Sequence, residues 1–173
     1  MRARECLLFA RDLECLVPPK LLVDLSAIDL DRLEAGPEEI RRYNLQRFEM
    51  EHLDGVILCD LEQGVAVGFK NVREDEFWVK GHIPGRPLLP GVLMCEAAAQ
   101  LCSYYYKKAI GTEVFLGFGG LERVKFRGQV VPGDRLILLA RNTELKSRRA
   151  SFDVQAVVDG KLVFEGAVFG MPV

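Results

Sequence analysis

Apolar residues recur along this chain with two different periods. From Gly55, "GVILCDLEQGVAVGFKNV" sets short aliphatic runs on either side of Glu62-Gln63-Gly64, which reads as two strands joined by a turn. Residues 91–110, "GVLMCEAAAQLCSYYYKKAI", form the one long uninterrupted helix pattern. Pro90 stands just outside its start, Lys107 and Lys108 lie in its last turn, and Gly111 falls where a C-terminal cap belongs. It is apolar nearly all round, as burial on most sides requires. Its few polar residues, Glu96, Gln100, Ser103 and Lys107, follow at spacings of 4, 3 and 4 and share one face.

Extended patterns return after the helix. "EVFLGFGGLERVKFRGQV" carries glycines that predict bends or bulges. "DRLILLARNTEL" and "RRASFDVQAVV" follow, and Asp159-Gly160 joins the latter to "KLVFEGAVF" as a two-residue hairpin. Several antiparallel strands with one long buried helix make an α+β arrangement. Ahead of it, residues 1–44 read as a helix-leaning N-terminal extension to a domain over 45–173. In that extension "AGPEEIRRY" places Pro37 and two acids at a helix start, with Arg41 and Arg42 a turn later.

Composition narrows the class. At 173 residues the chain suits one domain with an extension, and 49% hydrophobic residues supply a core. No apolar run approaches the ~18 residues of a membrane span. Arg11, Asp12 and Glu14 interrupt any N-terminal signal pattern, which leads to a cytoplasmic reading. Five cysteines (Cys6, Cys15, Cys59, Cys95, Cys102) include no CxxC pair and read as reduced, buried thiols. Residues 1–76 carry 10 Lys/Arg against 17 Asp/Glu, whereas residues 77–173 carry 13 against 8. The second half can therefore receive an acidic partner, unless the two halves simply pair with each other. A basic run interleaved with aromatics is missing, which argues against nucleic acid.

Chemistry concentrates in "GHIPGRPLLPGVLMCEAAAQL", residues 81–101. His82 sits among Gly81, Ile83, Pro84 and Gly85, in a loop whose backbone is stiffly specified. Fourteen residues on, Glu96 falls in the second turn of an apolar helix, where burial would raise its pKa and favour a proton-donating neutral acid. Between them Pro90-Gly91-Val92 opens the helix with unpaired N–H groups able to hold a developing oxyanion. Base, acid and oxyanion donor are the parts that β-elimination next to a carbonyl requires. The competing reading is a solvated polar stripe of Glu96, Gln100, Ser103 and Lys107, and spacing alone leaves both open.

The same stretch resembles the signature of the hotdog-fold 3-hydroxyacyl-acyl carrier protein dehydratases of the FabZ type, G-H-x-P-G-x-P-x-x-P-G-V followed by E-A-x-A-Q. The likeness extends to "RVKFRGQVVPGDRL" (residues 123–136) and "DGKLVFEG", and covers about residues 44–170. It implies a curved antiparallel sheet wrapped round the helix. His82 would remove the C2 proton, and Glu96, directly or through a water molecule, would protonate the departing C3 hydroxyl. The Gly91 N–H, with Val92 and Gln100 beside it, would hold the thioester. The resemblance further implies paired subunits, with the histidine of one meeting the acid of the other, and dimers that can assemble as trimers. The partner would be acyl carrier protein, itself acidic, for which Lys80, Arg86, Arg123, Lys125 and Arg127 are docking candidates. No metal or redox cofactor is implied, because loss of water moves only protons.

One segment departs from the family pattern. Where P-H-R-Y-P-F-L-L-V-D is usual, this chain has "LQRFEMEHLD" (residues 45–54), keeping Arg47 and Asp54 but carrying Glu49, Glu51 and His52. His52 is expected at the surface, the other reading being a second titrating group near the site. Three alternatives stand beside the dehydratase: an isomerising dehydratase, a thioesterase of the same fold, and a non-catalytic acyl-binding subunit. Glu96 opposes the first, whose acid is aspartate, and "GHIPGRP" is foreign to the second. Retention of both His82 and Glu96 opposes the third.

Overall fold

The computed structural model of the protein describes residues 20–173, positions 112, 114 and 147 excepted. The signal-pattern residues, Cys6 and Cys15 lie outside the described residues. Helix α1 (Pro37–Tyr43) precedes strands β1 (Gly55–Asp60) and β2 (Val65–Asn71). Helix α2 (Gly91–Ile110) follows, then β3 (Leu116–Phe126), β4 (Arg135–Lys146), β5 (Arg149–Val158) and β6 (Lys161–Pro172). All strand pairs are antiparallel, in the order β1-β2-β4-β5-β6-β3, so β3 is an edge strand. The sheet curves round α2 in the hotdog arrangement.

Local chemistry accounts for these bounds. α1 begins on Pro37, carries Glu38 and Glu39 in its first turn and ends on Arg41 and Arg42, in accord with the helix dipole. α2 ends where Gly111, at φ 124°, caps the Lys107 carbonyl through its N–H. Asp159 and Gly160, at φ 49° and 74°, turn the β5–β6 hairpin in the left-handed geometry of a type I′ turn. β3 is bulged between Phe118 and Gly120 and again between Glu122 and Lys125, where Arg123 adopts φ 52°.

The sheet is buried on both faces because its strands alternate. On β4, Leu136, Leu138 and Ala140 face α2, while Ile137 and Leu139 face outward. β5 repeats this with Phe152, Val154 and Ala156 inward and Val157 outward. The outward residues are covered by the chain itself: Leu21, Leu22, Val23, Leu25, Ile28 and Leu30 pack over them. Polar ties fasten this cover. Leu22 N–H donates to Gln155 Oε1 at 2.8 Å, Arg141 donates to the Leu22 carbonyl, and Arg135 Nη2 donates to the Leu30 carbonyl at 3.0 Å.

Candidate active site

His82 owes its position to a buried carboxylate six residues before it. Glu76 Oε2 accepts from Trp78 Nε1 at 2.9 Å and pairs with Lys70 Nζ at 3.0 Å, and Glu76 Oε1 accepts the Arg73 N–H at 3.0 Å. Lys70, projecting inward from β2, is 1% exposed, so its ammonium requires that partner. The anchored Trp78, itself buried, then accepts the Gly81 and His82 N–H groups on its carbonyl at 3.1 and 2.8 Å. Beyond His82 the chain turns sharply. Ile83 holds φ 60°, uncommon for a β-branched residue, and its carbonyl accepts the Arg86 N–H at 2.9 Å. Leu89 N–H closes the loop onto the Val130 carbonyl at 2.8 Å.

The histidine ring is half-buried, and its Nδ1 lies 2.6 Å from the Leu88 carbonyl. A carbonyl only accepts, so Nδ1 carries a proton. In the neutral ring this assigns the lone pair to Nε2, the state a general base needs.

Glu96 is held from α2. Its Oε1 accepts from Gln100 Nε2 at 2.7 Å, with Gln46 Nε2 at 3.5 Å. Gln100 is 2% exposed and fully engaged: Nε2 also donates to the Met50 carbonyl at 2.7 Å, and Oε1 accepts the His52 N–H at 2.9 Å. Gln100 therefore faces Glu96 and the 50–52 backbone. The polar stripe of α2 is not solvated, since Gln100 and Lys107 are buried and Glu96 is half-buried. Glu96, Ser103 and Lys107 line one cavity with Phe118, Phe152 and Val168.

Gly91 begins α2 against the ring of Phe126, where a Cβ would come within 2.8 Å of ring carbons. A side chain here would displace that ring, so glycine lets the helix start and Phe126 pack closely at the point proposed for oxyanion binding. Val92 beside it is 71% exposed. Within one chain His82 and Glu96 share no hydrogen bond, and His82 does not line the Glu96 cavity. The loop residue and the helix residue are thus held by separate contacts.

His52 is corrected: it is 1% exposed, not a surface residue. Neither ring nitrogen has a hydrogen-bond partner among the described residues. Burial, reinforced by the charge of Lys70, pushes its pKa down to about 4, so the ring is neutral. The burial follows from Leu53 and the Gln100 tie, which draw the 51–53 backbone inward. Of the basic docking candidates, Arg123 pairs with Asp153 at 2.7 Å, while Arg127 and Lys125 approach Glu165 at 2.5 and 3.9 Å. Lys80 and Arg86, which flank His82, are exposed and have no ion pair among the described residues; Arg86 donates to Gln129 Oε1 at 3.1 Å. The described thiols are shielded: burial raises the pKa of Cys59 to about 12 and raises those of Cys95 and Cys102.

Sequence reasoning missed the Lys70–Glu76–Trp78 anchor. A signal for it existed: Lys70 shares strand parity with the inward-facing Ala66, and a charge at a core position calls for an acid.

Comparison with known proteins now fits this geometry. The model of the FabA-like domain matches residues 44–167, and the chain belongs to that family. Within it, the chain is 39% identical over 132 residues to 3-hydroxyacyl-acyl-carrier-protein dehydratase FabZ of Clostridium botulinum strain Okra, covering 73% of this chain and 88% of that protein. The enzyme of the same name from the Kyoto strain is 38% identical over the same shares. Among solved structures, the dehydratase heterocomplex ApeI:P from Xenorhabdus doucetiae superposes with a TM-score of 0.66 at 16% identity, covering 78% of this chain and 90% of that one. That likeness shows the fold.

Proposed function

We propose that this chain dehydrates a (3R)-3-hydroxyacyl thioester, presented on acyl carrier protein, to the trans-2-enoyl thioester in acyl-chain synthesis. The observation that carries the reading is the His82 Nδ1–Leu88 bond, which leaves Nε2 as a base. Nε2 takes a proton from C2, the C2–C3 double bond forms, and the C3–O bond breaks. Glu96 gives its proton to the departing hydroxyl, releasing water. Charge building on the thioester oxygen is received by the N–H groups of Gly91 and Val92 at the start of α2. Gln100 steadies Glu96 throughout. These steps exchange protons only and call on no cofactor or metal.

That His82 and Glu96 share neither a hydrogen bond nor a cavity wall within one chain supports a homodimer in which each site takes its histidine and its acid from different copies. Exposed Phe118, Leu121 and Phe126 on edge strand β3 offer an apolar seam for such pairing, and trimers of these dimers are the higher assembly of this reading. Lys80 and Arg86 are the proposed contacts for the acidic carrier. Residues 45–173 form the catalytic domain in this reading and residues 1–44 its extension, of which 21–30 cover the outer sheet face. Reduced, buried thiols suit a cytoplasmic enzyme.

The test is interconversion of 3-hydroxyacyl- and enoyl-acyl carrier protein by the purified protein, followed in both directions. Turnover that disappears in His82→Ala and Glu96→Gln, with fold and oligomer retained, is the expected result. A folded oligomer inactive on every chain length would overturn the reading in favour of an acyl-binding subunit.

A further inference from the structure

Two adjacent lysines close α2, and the fold treats them differently. Lys108 is satisfied: its Nζ stands 3.5 Å from Glu39, 3.9 Å from Glu34 and 3.3 Å from the Tyr104 hydroxyl. Lys107 is 3% exposed, and its ammonium has no hydrogen bond or ion pair among the described residues. Its ammonium lies over the ring of Phe115, 5.9 Å from the centroid. Burial alone lowers its pKa.

Lys107 lines the cavity that begins at Glu96, with Ser103 between them on the same helix face. The other walls are mostly apolar, including Ala99, Leu116, Phe118, Phe152 and Val168. Glu96 and Lys107 are eleven residues apart, which places their Cα atoms about 16 Å apart along the helix. Helical side chains lean toward the N-terminus, so the Lys107 stem returns toward Ser103 and into the cavity.

An acyl chain whose C3 hydroxyl sits at Glu96 would run along this face. A hydrocarbon tail reaching Lys107 would strip the remaining water from an ammonium and return nothing. A tail ending in an anionic oxygen would gain a charge-assisted hydrogen bond from a cation that folding has already partly desolvated. Ser103 adds a hydroxyl on the same approach. We propose that the substrate's acyl tail ends in a carboxylate, received at the far end of the cavity by Lys107 and Ser103. This rests on the dehydratase reading of the site and specifies its substrate class.

The test compares 3-hydroxyacyl pantetheine thioesters of matched length, methyl-ended and carboxylate-ended, in the wild-type oligomer, Lys107→Met and Lys107→Arg. Wild type is expected to favour the carboxylate-ended chain by about tenfold or more in kcat/KM. Lys107→Met should erase that preference while keeping turnover of the methyl-ended chain, which also shows that the variant folds. Lys107→Arg should retain the preference. Equal or better use of the methyl-ended chain by wild type would overturn the inference and leave the dehydratase standing. An unchanged ratio in Lys107→Met would overturn it likewise. No turnover of either chain by wild type would remove the dehydratase reading and this inference with it.

Discussion

The two halves of the site are held by opposite strategies. Glu96 stands on a long helix whose backbone is fixed by its own hydrogen bonds, so the near amide of Gln100 and the more distant one of Gln46 suffice to orient it. His82 stands on a loop, and fixing a loop requires tertiary anchors: the Lys70–Glu76 pair, the Trp78 carbonyl and the Leu88 carbonyl. The difference teaches where each half is vulnerable. Damage to the helix half should be local to the chemistry, whereas damage behind the loop half should cost stability and activity together.

The largest expected effect comes from the proposed reacting groups themselves. His82→Ala should lower kcat by roughly a hundredfold to ten-thousandfold, the usual contribution of a general base, with little change in thermal midpoint. A comparable loss of melting temperature would show that the ring is structural. Next comes the anchor. Glu76→Gln leaves the Lys70 charge buried without a counter-charge and should destabilise by about 3–5 kcal/mol in chemical denaturation. Activity should fall with it, even at temperatures where the variant remains folded. Normal kcat in a destabilised Glu76→Gln protein would separate the anchor from the orientation of His82.

His52 lies between the halves, bonding Gln100 through its N–H while its ring feels Lys70, Glu76, Asp54 and Arg73. Its folded pKa of about 4 lies below the ordinary 6.5. The unfolded chain therefore binds the extra proton between those values, and stability falls as pH drops from 6.5 toward 4. The loss is on the order of 3 kcal/mol. His52→Phe should flatten this acid limb in denaturation measured across that window. An unchanged pH dependence would place the acid sensitivity elsewhere.

Legibility in the sequence follows the range of the interactions. The bounds of α2, the β1–β2 and β5–β6 turns and the α1 start are local devices, proline, glycine and charge order, and they are found where the pattern puts them. Glu96 and His82, the proposed acid and base, are read from a long local motif. The anchor was not, because Glu76 closes the run Arg73-Glu74-Asp75-Glu76, in which Glu74 and Asp75 are exposed. Only the tertiary position of Lys70 distinguishes Glu76 from its neighbours. The burial of His52 was hidden for the same reason, since the amide that draws its backbone inward lies forty-eight residues away.

The smallest expected effect tests the helix half alone. Gln100→Leu removes the donor to Glu96 and also frees the Met50 carbonyl and the His52 N–H, at a cost of about 1–3 kcal/mol for buried groups left unpaired. Its specific signature lies in kinetics. Removing the donor that orients Glu96 should lower kcat about tenfold with KM little changed. Gln100→Glu serves as the counterpart, since it replaces the donor with a second carboxylate beside the first, and should lower kcat further. If both variants lose stability but keep the wild-type kcat, Gln100 braces the 50–52 backbone only. The orientation of Glu96 would then belong to the helix itself, and the contrast between the two halves would be sharper still.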